Sequence, residues 1–156
     1  MKALGKLLVE SAIILGYQAK DAEDIVSTLG ERLQQAGFVR ETFVEAALTR
    51  EKSMPTGLPL SGDVNAAIPH TDVEHVLKAG VALATLTSPI TFQNMAQPDV
   101  GVEVKLIFLL ALDQPKAQIE MLQEIAGVLQ NPVLINLLMK APTPKNIIEI
   151  IQNEVT

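Results

Sequence analysis

The sequence contains no cysteine and no tryptophan, and aromatic residues make up only 3 % of it. Without cysteine there is no disulfide, no thiolate metal ligand and no cysteine nucleophile. So few aromatics leave little on which single-stranded nucleic acid could stack. Positive charge is also short: 12 Lys and Arg stand against 18 Asp and Glu, for a formal net charge of -6. Nucleic acid binding wants a basic stripe against the phosphates, so it is not expected here. The most apolar run, Leu106–Leu112, is far shorter than the ~20 residues a membrane helix needs. The opening MKALGKLLVESAIILGYQ carries Lys6 and Glu10 within it and has no small-residue cleavage pattern, so it does not read as a targeting signal. A cytoplasmic protein with no direct membrane insertion is the expectation. Two nucleophile and phosphate motifs are missing as well. There is no G-x-S-x-G elbow and no G-x-x-x-x-G-K-[ST] loop, which argues against serine hydrolase chemistry and direct nucleotide use.

What is present suits one domain spanning residues 1–156, since 48 % apolar residues can fill a real core. The stretch Leu7–Leu15 reads as one buried strand, or as a strand pair broken near Glu10 and Ser11. From Asp21 the pattern is helical, with Ile25, Leu29 and Leu33 on one stripe and a stop at Ala36-Gly37. A second helix is expected from Arg40 or Glu41 to about Arg50. Pro55, Gly57, Pro59 and Gly62 make Glu51–Asn65 a loop. Ala66–Ile68 is a short strand ended by Pro69. Gly80–Leu86 and Val104–Leu112 read as strands covered on both faces, with Thr87–Glu103 between them as loop holding a short strand at Ile90–Phe92. Three helices close the chain, beginning at Pro115 and after Asn131 and Thr143, the last two each a capping residue followed by proline. Strands alternating with helices predict an α/β architecture: a mixed central β-sheet flanked by helices on both faces.

Only two histidines offer imidazole chemistry, His70 and His75. A lone histidine is ordinarily a hydrogen-bonded structural or surface residue. His70 is set apart because it follows a strand end and a proline, and a strand exit faces the usual crevice of α/β proteins. His70 and His75 are five apart, which suits neither one face of a helix nor one face of a strand, so no metal site is expected. Arg50, taken alone, reads equally well as a cation at a helix C-terminus. Glu51, Asp72 and Glu74 read as solvated surface.

The residues Arg50-Glu51, Pro55-Thr56-Gly57 and Ala66-Ala67-Ile68-Pro69-His70 resemble the signature of the IIA domains of the bacterial phosphotransferase sugar-uptake system. The class is the fructose/mannitol type, or type 2. The pattern R-E-x-x-x-P-T-G, the spacing to A-x-I-P-H and the second histidine at His75 look most like galactitol-type IIA proteins. The likeness runs through VKLIFLLAL and the helix after Gln118.

That resemblance implies a phosphotransferase component with a phosphotransferase/anion-transport-protein-like fold. By it, His70 accepts a phosphoryl group from the phosphocarrier HPr. It then passes the group to a cysteine of the cognate IIB protein, which serves the membrane component IIC. Arg50 matches the family's site arginine and would bridge the phosphoryl oxygens, and the hydroxyls of Thr56 and Thr71 could donate to them. Gln118 stands where mannitol-type members carry a second histidine, and glutamine can orient a neighbour but cannot take a proton. His75 reads either as a surface hydrogen-bonding residue or as part of the site. No cofactor and no metal are implied. Galactitol is the substrate the likeness suggests. Two other readings use the same residues: a regulatory IIA-like protein phosphorylated on His70, and an interaction domain that is not phosphorylated. Met54, Leu58 and Leu60 are candidate partner contacts or core residues.

Overall fold

The structure is a computed structural model and describes residues 2–153. Its centre is an antiparallel pair of long strands, β4 (Gly80–Gln93) and β5 (Gly101–Ala111). Along β5 the side chains alternate between two cores. Leu106, Phe108 and Leu110 enter one, while Ile107, Leu109 and Ala111 enter the other. A stretch buried on both faces must be apolar at every position, which is why Leu106–Ala111 lacks the usual polar alternation.

The remaining strands extend this pair outward. β1 (Leu8–Tyr17) runs parallel to β4. β3 (Asn65–Ala67) runs parallel to β5 and pairs antiparallel with β2 (Gly57–Leu58). The sheet order is β1-β4-β5-β3-β2. β1 is thus one strand and not a strand pair, with its register against β4 broken between Leu8 and Ile13. Glu10 and Ser11, which suggested a break, lie exposed in that irregular part.

Helices cover both faces, as the sequence predicts. One core holds Ile25, Leu29 and Leu33 of α2 (Ala22–Gln35) with Phe43 and Ala47 of α3 (Phe43–Ser53). The other holds Leu4 of α1 (Lys2–Leu7), Ile125 of α4 (Pro115–Leu129), Leu138 of α5 (Pro132–Lys140) and Ile151 of α6 (Pro144–Asn153). The N-caps of α2, α5 and α6 work by side chain. Asp21 accepts from the Asp24 amide at 2.8 Å, Asn131 from Leu134 at 3.1 Å and Thr143 from Asn146 at 3.2 Å. α2 stops where Gly37 takes φ +86, and the Phe38 amide donates back to the Leu33 carbonyl at 3.0 Å.

The structure departs from the sequence reading at several boundaries, and the expected Glu51–Asn65 loop holds the end of α3 and the short strand β2. β4 and β5 run well into the expected Thr87–Glu103 loop, so only residues 94–100 connect them. The short strand expected at Ile90–Phe92 is the continuation of β4, with Ile90 and Phe92 buried and Thr91 and Gln93 exposed. Pro89 falls in an irregular stretch where the register shifts between Thr85 and Ile90, so its missing N–H costs no ladder bond. α3 starts at Phe43 and extends to Ser53, because residues 40–42 form a turn in which the Phe43 amide donates to the Arg40 carbonyl at 3.1 Å. α1 had no sequence signal. Six residues cannot hold a helix alone; this one exists because Leu4 is fully buried and Gly5 lies against Gln152 of α6.

The β5 side chains carry the heaviest packing load. Phe108 is fully buried. Phe108→Ala is expected to destabilise the fold by about 3–5 kcal/mol, read as a lower urea midpoint at unchanged m-value.

Candidate functional site

Beyond β3 the chain keeps following β5. The Leu110 amide donates to the Pro69 carbonyl at 3.0 Å, and His70 bridges to Leu110 in parallel sense. His70 is thereby held at a strand exit, as the sequence suggests. The strand is not central, however: β3 is next to the edge strand β2. Three segments meet here. They are residues 68–72, the last turns of α3 carrying Arg50, and the first turn of α4 carrying Gln118.

The imidazole is half-buried, and its Nδ1 lies 3.0 Å from the Ile68 carbonyl oxygen. A carbonyl can only accept, so Nδ1 carries the proton of the neutral ring and Nε2 keeps its lone pair. Burial is the largest influence on His70 and pushes its pKa below the usual imidazole value. The Ile68 carbonyl works against that shift, the Arg50 guanidinium adds to it, and Asp72 opposes it. The ring is therefore a neutral base with one nitrogen anchored and the other available.

Arg50 is held by Asp72, with Nη1 to Oδ1 at 3.2 Å, and the two side chains are 30 % and 70 % exposed. Its Nε is buried and has no hydrogen-bond partner among the described residues. A buried donor without an acceptor is costly, and an anionic oxygen arriving beside it would satisfy it. The Asp72 partner, mostly exposed, holds the guanidinium without neutralising a dry site.

The other predicted residues are brought to the same place with different tasks. Gln118 donates from Nε2 to the Thr71 carbonyl at 3.0 Å, so it braces the loop after His70. Thr71 is buried and its hydroxyl donates to the Asp72 carbonyl at 2.9 Å. The Thr56 hydroxyl donates to Glu51 Oε1, and the Thr56 amide to Glu51 Oε2, both at 2.8 Å. Both threonine hydroxyls are thus engaged inside the loops. Glu51, read from sequence as solvated surface, is instead a partly buried clamp, and burial raises its pKa against the pull of the two Thr56 bonds. The R-E-x-x-x-P-T-G pattern includes Glu51, but nothing in the sequence gives its task, because its partner is set by the turn that follows. Asp72 and Glu74 are exposed, as expected.

His75 accepts from or donates to the Thr42 hydroxyl at 2.8 Å through Nδ1. It lines a groove of about 480 Å3 together with Arg50, Asp72 and Met54. His75 therefore flanks the site without touching His70's anchor. Met54 is exposed, while Leu58 and Leu60 pack partly buried against a core. No cluster of three or more metal-ligating side chains occurs among the described residues, and no helix of the described residues is long and apolar enough to cross a membrane.

The mixed sheet with its helical cover is the fold of phosphotransferase-system IIA proteins. The model of the family "Phosphoenolpyruvate-dependent sugar phosphotransferase system, EIIA 2" matches residues 6–154, and the chain belongs to that family. It is 29 % identical over 127 residues to the galactitol-specific EIIA component of Escherichia coli K12, covering 81 % of this chain and 83 % of that one. A PTS IIA (PtxA) from Streptococcus mutans has the same fold, with TM-score 0.78, 24 % identity, and coverage of 98 % and 93 % of the two chains. So does IIAMtl in the Escherichia coli complex of IIAMtl with phosphorylated IIBMtl, with TM-score 0.75, 26 % identity, and coverage of 94 % and 97 %.

Folding with a depressed histidine pKa has a consequence for stability. The unfolded ring binds its proton at about 6.5, the folded ring only at lower pH. Between those values the unfolded state holds more protons, so stability is full above the unfolded pKa and falls as pH drops through the folded one. His70→Gln should flatten that part of the stability–pH curve, measured by urea unfolding between pH 7.5 and pH 5.

Proposed function

We propose that this chain is a cytoplasmic phosphohistidine carrier. His70 Nε2 attacks the phosphorus of phospho-HPr, a P–N bond forms at His70, and the P–N bond to the HPr histidine breaks with its electron pair returning to that ring. The phosphoryl group then passes to a cysteine thiolate of the cognate IIB, with sulfur forming the new bond to phosphorus and Nε2 recovering its lone pair. IIB delivers the group to the sugar at IIC. Galactitol, or a polyol like it, is the substrate favoured by the similarity to the galactitol-specific component. The docking with IIB is supported by the complex seen for the related IIAMtl.

One observation carries the reading: the ring of His70 is anchored through Nδ1 to the Ile68 carbonyl, which leaves Nε2 as the nucleophile. Burial supports it, because a neutral imidazole is the form that can attack. The unpartnered Arg50 Nε supports it too, since phosphoryl transfer needs positioned positive donors more than covalent help. In this reading Gln118 braces Thr71 where a two-histidine mechanism would place a proton carrier, and Thr56 and Thr71 shape the loops around the phosphate. The transfer runs on one histidine.

Incubation with phosphoenolpyruvate, enzyme I and HPr is expected to put one acid-labile, alkali-stable phosphate on the chain. Phosphorus and nitrogen NMR should place it on Nε2. His70→Ala should abolish the label, and an unlabelled wild-type chain would sink the proposal. Arg50→Ala should slow the transfer by about 10²–10³-fold while leaving the final stoichiometry intact, in a quench time course; Arg50→Lys should recover only part of the rate, because lysine cannot present the guanidinium fork.

A further inference from the structure

We infer that Glu51 is a positioning residue for His70, acting through Thr56 and the main chain of Ile68. The four contacts are consecutive. The Glu51 carboxylate takes both the amide and the hydroxyl of Thr56, each at 2.8 Å. The Thr56 carbonyl takes the Ile68 amide at 3.3 Å. The Ile68 carbonyl takes the Nδ1 proton of His70 at 3.0 Å. The residue that ends the clamp is therefore the residue that sets the tautomer of the nucleophile.

Neighbouring constraints make the chain stiff enough to transmit position. Gly57, directly after Thr56, is pressed against β4: an added Cβ would sit 2.6 Å from the Gln93 carbonyl oxygen. The Met95 amide donates to the Gly57 carbonyl at 2.9 Å. Thr56-Gly57 is thus gripped by α3 on one side and the β4–β5 hairpin on the other. Downstream, Pro69 has a fixed φ, which narrows the ways in which His70 can be set relative to the Ile68 carbonyl.

The choice of a carboxylate is informative. A partly buried charge costs free energy unless it is matched by donors, and here two donors on one residue match its two oxygens. An apolar side chain would fill the space more cheaply if packing were the only need. Glu51 also follows Arg50 in the last turns of α3, so one helix end supplies both the guanidinium whose charge acts on His70 and the clamp behind Nδ1.

The kinetic half of this inference rests on the phosphohistidine reading, while the tautomer half does not. Nitrogen-15 spectra of His70, taken where the ring is neutral, are expected to show the Nδ1–H form in wild type. Glu51→Met and Thr56→Val should shift the ring toward the other tautomer. Glu51→Gln should restore the wild-type spectrum, since its carbonyl accepts from the Thr56 amide and its amide donates to the hydroxyl; Thr56→Ser should do the same. In transfer from phospho-HPr, Glu51→Met is expected to lower the first-order rate about tenfold with KM nearly unchanged. Wild-type tautomer and rate in both Glu51→Met and Thr56→Val overturn the inference, even if melting temperatures fall. A Glu51→Gln protein that behaves like Glu51→Met also overturns it, because the effect would then belong to charge and not to position. If Glu51→Met does not fold, the Thr56→Val and Thr56→Ser pair decides. A wild-type chain that takes no phosphate overturns the carrier reading and leaves the tautomer comparison decisive for Glu51.

Discussion

The pairing of β4 with β5 is the constraint on which the other elements depend. Val81–Leu86 of β4 and Leu106–Ala111 of β5 are buried on two faces, so those stretches must be apolar at nearly every position and must be covered twice. That requirement calls up α2 and α3 on one side and the four remaining helices on the other. It also sets the site. β5 continues to pair past the end of β3, with the Leu110 amide on the Pro69 carbonyl, and this pairing holds the Pro-His step at the sheet's end. A frayed β5 would release His70 as surely as it would open the core.

The chemistry at that end follows from partial burial. A fully solvated imidazole would be partly protonated at neutral pH and free to adopt either tautomer. A half-buried one bonded to a carbonyl is neutral and single-tautomer. The phosphoryl transfer proposed for this site needs positive donors near the ring. Arg50 meets this by sharing one end with exposed Asp72 and keeping its buried Nε uncommitted. Charges with one partner in water and one face toward the site are cheap to hold and ready to act. The threonines, which sequence alone suggests as phosphate donors, are turned into the loops instead, where they hold the frame.

Much of this was legible in the chain. The Pro-Gly-rich stretch before Ala66-Ala67-Ile68-Pro69-His70 marks a strand exit, and the continuous run in β5 marks a doubly covered strand. Asn131-Pro132 and Thr143-Pro144 announce helix starts that the structure contains. Two causes account for the parts that the sequence pattern hides. β4 beyond Leu86 alternates buried and exposed positions, and its exposed half is written in Thr, Ser, Pro and Gln, which also write loops. α1 is too short to carry a periodic signal and is made helical by the residues it meets.

By itself the sequence determined the class of fold, through the period of its apolar residues, and the available chemistry, through two histidines, one well-placed arginine and no cysteine. Those properties are local, and a linear chain records them. Tertiary structure alone decided which nitrogen of His70 is anchored, that Glu51 faces Thr56 and not solvent, that Gln118 braces Thr71, and that His75 turns to Thr42. Hydrogen bonds of this kind depend on separations of a few tenths of an ångström. Such separations are set by how helices seat on the sheet, which no spacing within the chain encodes.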